Sequence, residues 1–347
     1  MFKTKTALLA HMYEKLEGVI PDFEIEIKSD IAWDILELKK QKNAVILGHN
    51  YMEPALFHSI CDYTGDSLEL SKIAAEVTEN IIVFCGVEFM AETAKILNPN
   101  KTVLLPAERA GCSLAESITG KDVRRLKEMY PGVPIIAYIN TYADVKAEVD
   151  ICVTSGNAKK VVESIDSDKI IFLPDEYLAK NIAQETGKEI LIPQMLPDRY
   201  KKGLLPTFNS GILGWSGKCE VHEKFTTSDI QAVRDQFPDV VVLAHPECSP
   251  EVVENSDFSG STSKMISYAK KNKDKRILLL TECSMGDNIA SEVGDGLLRL
   301  CSTRCPHMAQ ITLENVRNSL LKLSKKIELD PDTIKKAKRS IDRMLEY

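Results

Sequence analysis

The 347-residue sequence predicts an α/β fold organised as three small three-layer αβα units, each with a short parallel sheet. Two observations carry this expectation. Short apolar, β-branched runs alternate with charged amphipathic stretches along most of the chain, the pattern of parallel strands buried between helices. The runs also fall into three triplets, and in each the second and third runs end about 20 residues apart, close to the least that a strand, helix, strand crossover needs. A single doubly wound sheet cut into pieces produces the same alternation, so the pattern alone leaves both arrangements open.

The first triplet is 44–47, 81–85 and 102–105, continuous apolar runs of strand length with no polar alternation, as strands covered on both faces require. The second is 134–139, 151–154 and 169–173, bounded by Pro-Gly, Val-Asp and Ser-Asp pairs. The third is 240–244, a weak run near 257–258, and 276–280. The triplets divide the chain into units 1–112, 113–215 and 216–319, a structural repeat without strong residue identity between units. A segment containing Pro and Gly, 193–217, reads as a long loop or insertion before the third unit, either a lid over a site or, as long insertions are tolerated, a surface loop. Asp330-Pro331-Asp332 starts a basic helix that runs to Tyr347, and residues 320–347 are expected to pack back on the first unit.

Composition narrows the function classes. The chain is 44% hydrophobic and 27% charged with a net charge of -7, a soluble composition without the basic field that nucleic-acid binding needs. No run approaches the roughly 18 apolar residues of a membrane helix, and residues 1–15 lack the long apolar core of a signal peptide, so a cytoplasmic protein is expected. Nine cysteines form an odd set that disulfides alone cannot use. In a reducing compartment they are core fillers, nucleophiles or metal ligands.

Ligands in open α/β sheets bind beyond the carboxyl ends of strands, and those ends are polar here. They read Gly48-His49-Asn50-Tyr51, Gly86-Val87-Glu88, Ala110-Gly111-Cys112, Tyr138-Ile139-Asn140-Thr141, Thr154-Ser155-Gly156, Pro174-Asp175, His245-Pro246-Glu247, Gly260-Ser261-Thr262-Ser263 and Thr281-Glu282-Cys283. Gly65-Asp66-Ser67, Thr154-Ser155-Gly156 and Gly260-Ser261-Thr262-Ser263 each put hydroxyls at the start of a helical stretch. The ordinary reading of each is an N-cap; one per unit points to phosphate or carboxylate binding. No Walker lysine and no Gly-x-Gly-x-x-Gly after a strand is found, which disfavours nucleotides. His49 and His245 end strands of like position, His222 follows Cys219 by three residues, and Glu247 stands two beyond His245, a plausible acid/base or carboxylate-binding group. His11 and His58 read as structural.

Cys61, Cys85 and Cys152 lie within elements and read as apolar filler; Cys248 and Cys283 are ambiguous. Cys112, Cys219 and Cys305 lie in turns spread along the chain, as a ligand set at a threefold axis would. Three thiolates would leave one iron of a four-iron cluster open, a Lewis acid able to polarise a hydroxyl or carbonyl and assist loss of water. An electron carrier normally completes four cysteine ligands, a zinc protein needs none of the iron chemistry, and a cluster-free sugar-phosphate binder is the third alternative.

The segments Gly48-His49-Asn50-Tyr51, Gly65-Asp66-Ser67-Leu68-Glu69, Gly86 to Lys95, Cys112-Ser113-Leu114, Tyr138-Ile139-Asn140-Thr141, Val153-Thr154-Ser155, His245-Pro246-Glu247, Gly260-Ser261-Thr262-Ser263 and Cys305-Pro306-His307-Met308 together resemble the quinolinate synthase family (quinolinate synthetase A) of NAD biosynthesis, over residues 43–345. The resemblance implies a pseudo-threefold assembly of αβα units around a central active site with a [4Fe-4S] cluster on Cys112, Cys219 and Cys305 and Met308 beside it. It implies condensation of iminoaspartate with dihydroxyacetone phosphate to quinolinate, phosphate and water, and functional coupling to the enzyme that supplies iminoaspartate. His49, Tyr51, Tyr138, Asn140, His222, His245 and Glu247 are implied to face the substrates, with Ser67, Ser155 and Thr262 holding phosphate or carboxylate oxygens. Glu247, Tyr51 and Tyr138 are the candidate proton carriers. Some members carry Cys-x-x-Cys-x-x-Cys near the third ligand; this chain has only Cys301 and Cys305, so a thiol switch on the longer motif does not transfer.

Overall fold

A computed structural model describes residues 2–193, 207–300 and 304–347. Thirteen strands occur among them, in three separate sheets. The first is ordered β2-β1-β3-β4, from β1 (Ala44–His49), β2 (Tyr63–Gly65), β3 (Ile81–Cys85) and β4 (Thr102–Leu104). The second is β6-β5-β7-β9-β8, from β5 (Ile135–Tyr138), β6 (Ile151–Val153), β7 (Lys169–Leu173), β8 (Ile190–Leu191) and β9 (Gly211–Leu213). The third is β11-β10-β12-β13, from β10 (Val241–Ala244), β11 (Phe258–Ser259), β12 (Ile277–Leu280) and β13 (Leu297–Arg299). The pairings within these sheets are parallel, and helices flank them, so the three-unit arrangement holds and the single doubly wound sheet does not.

Register makes the units superimposable on paper. Gly48 pairs with Cys85, Ala137 with Leu173 and Ala244 with Leu280, each being the last pair between the first strand of a sheet and its central neighbour. His49, Tyr138 and His245 are therefore equivalent positions, and so are Tyr51, Asn140 and Glu247. The central strands are buried on both faces, which is why they read as unbroken apolar runs. Helix starts are fixed by side chains: Asp66, Thr119 and Thr226 each form a capping box with the acidic residue three positions later.

The runs predicted as strands are strands to within a residue or two. β2, β8, β9 and β13, each of two or three residues, lie outside the predicted runs. β9 corrects part of the loop expected at 193–217, since Gly211–Leu213 pairs with Lys169–Ile171; residues 194–206 of that segment lie outside the described residues. The C-terminal segment, expected on the first unit, divides its contacts. Helix Leu313–Lys322 lies along Asp22–Lys42, whereas Pro331–Leu345 packs on β6, on Ala143–Lys146 and on Glu88–Leu97.

One apolar core runs through the first two units and the C-terminal helices, and two smaller ones cover the faces of the third sheet. Cys85, Cys152 and Cys248 are fully buried within them, the filler role expected of the first two and the resolution of the ambiguity at Cys248. Among the described residues no helix is long and apolar enough to cross a membrane.

Candidate functional site

The carboxyl ends of all three sheets face one cavity of about 700 Å³. The sequence-predicted residues His49, Tyr51, Ser67, Cys112, Tyr138, Asn140, Ser155, Cys219, His222, His245, Glu247, Thr262 and Cys305 all line it, with Met308. Residues from three separate units meet there because each unit ends its first strand at the same depth.

Glu247, 4% exposed, is the hub. Its Oε1 accepts from the Tyr138 hydroxyl at 2.5 Å and from Asn140 Nδ2 at 3.2 Å, and its Oε2 lies 2.7 Å from His222 Nδ1. Burial opposes the charge, but the facing His222 and His245 imidazoles, with hydrogen bonds from His222 and Tyr138, outweigh it and hold the carboxyl well below the usual range. Burial and the neighbouring Glu247 push the Tyr138 phenol up, so it remains a proton donor. On its far side His222 places Nε2 3.0 Å from Thr281 Oγ1 and 3.3 Å from the Tyr51 hydroxyl, and that hydroxyl and Thr281 are 2.6 Å apart. Tyr138, Glu247, His222, Thr281 and Tyr51 thus form one connected chain of exchangeable protons along the cavity wall. Thr281 was not singled out from the sequence; its signal was only its place directly after β12.

His49 and His245 are used differently. His49 Nδ1 accepts from the Tyr51 backbone N–H at 3.2 Å, and His245 Nδ1 accepts from the Glu247 N–H at 3.3 Å. Burial lowers His49 to about 4 and His245 to about 3. Both rings are therefore neutral near pH 7 with the hydrogen on Nε2, which in His245 lies 3.4 Å from Ser155 Oγ. Neutral N–H donors suit carboxylate or carbonyl oxygens without adding charge.

The hydroxyl-bearing helix starts also converge. Ser67 opens helix Ser67–Glu76 behind its cap Asp66, Thr262 opens Thr262–Lys271, and Ser155 precedes Ala158–Ser164. Asn50 Nδ2 donates to Thr262 Oγ1 at 2.9 Å across the first and third units. Asn140 Oδ1 is buried without a partner, an acceptor left for something in the cavity.

The turn cysteines are stitched together through their neighbours. Ser113, next to Cys112, donates to Lys218 O at 3.0 Å and accepts from Glu220 N at 3.2 Å, which ties it to both sides of Cys219. Glu220 in turn pairs with His307 at 2.8 Å, two residues beyond Cys305, whose own N–H donates to Glu282 Oε1 at 3.3 Å. All three thiols are free, and burial raises Cys112 to about 12, Cys305 to about 11 and Cys219 well above its usual value. Three free thiols from three loops, facing one cavity, are soft donors of the kind an iron-sulfur group takes, and His222 Nδ1 lies 3.1 Å from Cys219 Sγ. Cys301 lies outside the described residues. A different set also meets ligand geometry: Cys219, His222 and Glu247 offer donor atoms within 4.8 Å of one another.

Gly217 sets the approach to Cys219. A Cβ there would lie 2.6 Å from Pro174 O and 2.6 Å from Ser117 Oγ. Gly217→Ala is expected to cost about 1–3 kcal/mol by overpacking. A fall of several degrees in melting temperature checks this; an unchanged melting curve contradicts it.

Comparison with known proteins is consistent with this geometry. The family model described as Quinolinate synthetase A protein matches residues 33–346. A protein named quinolinate synthase from Sinorhizobium fredii (strain NBRC 101917 / NGR234) is 49% identical over 337 residues, 97% of this chain and 88% of the relative. Quinolinate synthase 2 of Mesorhizobium japonicum is 48% identical over 337 residues, 97% of each chain, and the Xylella fastidiosa (strain 9a5c) protein named quinolinate synthase is 49% identical over 311 residues, 90% of this chain and 85% of the relative. With most of its length matched at this identity, the chain belongs to the quinolinate synthetase A protein family.

Proposed function

We propose that the chain is a quinolinate synthase of NAD biosynthesis, condensing iminoaspartate with dihydroxyacetone phosphate to give quinolinate, phosphate and water. The observation that carries the reading is the shared cavity, in which a proton-exchanging chain, three hydroxyl-bearing helix starts and three free cysteines face one space. Cys112, Cys219 and Cys305 hold a [4Fe-4S] cluster in this reading. When bound, such a cluster supplies a Lewis acid that polarises a hydroxyl or carbonyl oxygen.

The residues divide the remaining work. Ser67, Ser155 and Thr262 donate to phosphate or carboxylate oxygens, and the Nε2–H groups of His49 and His245 orient substrate carboxylates. Asn140 Oδ1 accepts from the substrate nitrogen. Glu247 takes protons at its carboxylate, while Tyr138 and Tyr51 return them, with His222 and Thr281 joining the two ends. The enzyme acts on small molecules in the cytoplasm and is coupled to the enzyme that supplies the unstable imine.

Anaerobic purification with iron and sulfide counts, followed by a quinolinate assay, tests this. Full cluster content with no quinolinate from the two substrates would overturn the assignment. Thr262→Val and Ser155→Ala are expected to raise KM for the triose phosphate about 10-fold each, the loss of one hydrogen bond to a charged group, with a smaller change in kcat. A second reading, a mononuclear zinc enzyme, is favoured by the Cys219, His222 and Glu247 grouping. One zinc per chain and no sulfide would select it.

A further inference from the structure

The loops that carry the proton chain are held from outside by a neighbouring unit. Asn288, on helix Cys283–Val293 of the third unit, donates through Nδ2 to Asn50 O at 3.0 Å and to Met52 O at 2.9 Å in the first. Asn181, on helix Glu176–Thr186 of the second unit, donates through Nδ2 to Pro246 O at 2.8 Å and to Cys248 O at 3.0 Å in the third. The strand register makes Asn181 and Asn288 equivalent, each eight positions beyond the paired Leu173 or Leu280, and the four carbonyls equivalent in pairs. The carbonyls flank Tyr51 in one loop and Glu247 in the other. Each loop turns in the same way: the Tyr51 and Glu247 amides bond to the histidine Nδ1 before them, and the Met52 and Cys248 amides bond to the carbonyl of that histidine at 3.0 Å and 2.9 Å.

Two carbonyl acceptors require the amide nitrogen on that side, so both protons of the NH₂ group are committed to the loop. The cost is visible, since Asn181 Oδ1 and Asn288 Oδ1 are both buried without a partner. An orphaned buried acceptor costs about 1–3 kcal/mol, a poor choice if stability alone were served. The third seam is built differently: its loop is held across the units at one amide, and its Thr141 carbonyl is held from within the second unit. The equivalent position is Thr93, whose hydroxyl turns back to Phe89 O within its own helix. There the Thr141 carbonyl is taken by the buried Lys146 ammonium, and the Ala143 N–H is held by Glu92 from the first unit at 2.8 Å.

We propose that Asn288 and Asn181 are positioning residues, each clamping across a unit seam the loop that presents Tyr51 or Glu247, so that the proton chain is aligned only when neighbouring units are docked. The test compares Asn288→Leu and Asn181→Leu with Asn98→Leu, all in anaerobically purified protein. Asn98 is a buried asparagine that likewise bonds two carbonyls, Ala74 O at 2.7 Å and Ala94 O at 3.1 Å, but within one unit and away from the cavity. Hydrogen exchange is expected to quicken on the order of tenfold at residues 50–52 alone in Asn288→Leu and at 247–248 alone in Asn181→Leu. Turnover is expected to fall about 100-fold in both with KM little changed and iron content retained, while Asn98→Leu lowers the melting temperature and keeps its turnover. Exchange that quickens at both loops together or at neither, or an equal loss of turnover in Asn98→Leu, overturns the proposal. If a leucine variant does not accumulate as folded protein, the serine variant, able to serve one carbonyl, replaces it with the same pattern expected at smaller size. The kinetic arm rests on the activity proposed above, whereas the exchange arm does not; an inactive parent protein that shows the exchange pattern would refute the activity and keep the clamps.

Discussion

Glu247→Gln is expected to lower turnover by about 10²–10⁴-fold, the range for loss of a positioned acid/base, while leaving iron and sulfide content at the parent level. The carboxylate receives three donors, from Tyr138, Asn140 and His222, on two oxygens. Glutamine is the same size but offers one acceptor and one NH₂ donor, so either the Tyr138 side or the His222 side loses its charge-assisted acceptor and must reverse its hydrogen bonding. If the amide nitrogen turns to His222, Nδ1 must accept and the imidazole hydrogen moves to Nε2, which reverses the bonding at Thr281 and Tyr51 and breaks the chain in its middle. Because its neighbours hold the Glu247 carboxyl well below the usual range, the anion contributes stability, and Glu247→Gln is expected to lower the melting temperature as well. Steady-state turnover measured beside the visible spectrum separates the two effects. A variant that keeps more than a tenth of parental turnover would remove Glu247 from proton transfer.

On the function proposed above, Cys305→Ala is expected to abolish the visible absorption of an iron-sulfur cluster and quinolinate formation together, with the same outcome for Cys112→Ala and Cys219→Ala. No spare ligand is at hand among the described residues, because Cys61, Cys85, Cys152, Cys248 and Cys283 do not line the cavity, and Cys283 is disulfide-bonded. The paired control is Cys152→Ala, expected to retain the cluster and to lose only stability, since its thiol donates to Ser340 Oγ inside the core at 3.4 Å. Iron and sulfide counts decide the matter. A full complement in Cys305→Ala would remove it from the ligand set, and zinc in place of iron and sulfide would transfer the metal to the Cys219, His222 and Glu247 grouping.

Much of the architecture was legible because its cause is local. Strands covered on both faces must be apolar without interruption, so β1, β3, β7 and β12 announced themselves, and helix starts such as Asp66 to Glu69 carry their cap in the sequence. The short β2, β8, β9 and β13 stayed hidden because, at two or three residues, only their pairing in a sheet marks them as strands. Site residues could be picked from their place at strand ends, and the family resemblance pointed to the three cysteines among nine.

Partnership was not legible. Nothing near Glu247 in the chain indicates that Tyr138 and Asn140, more than a hundred residues earlier, and His222 would share its two oxygens. Nothing near Asn181 or Asn288 distinguishes them from ordinary polar helix residues. By itself the sequence determined which segments become strands and helices and which side chains stand at their ends, since period and capping act over a few residues. Only the tertiary structure decided which of those ends meet, because the three-unit docking brings them to hydrogen-bonding distance, and a hydrogen bond worth anything in a buried site depends on tenths of an ångström that no spacing in the chain encodes.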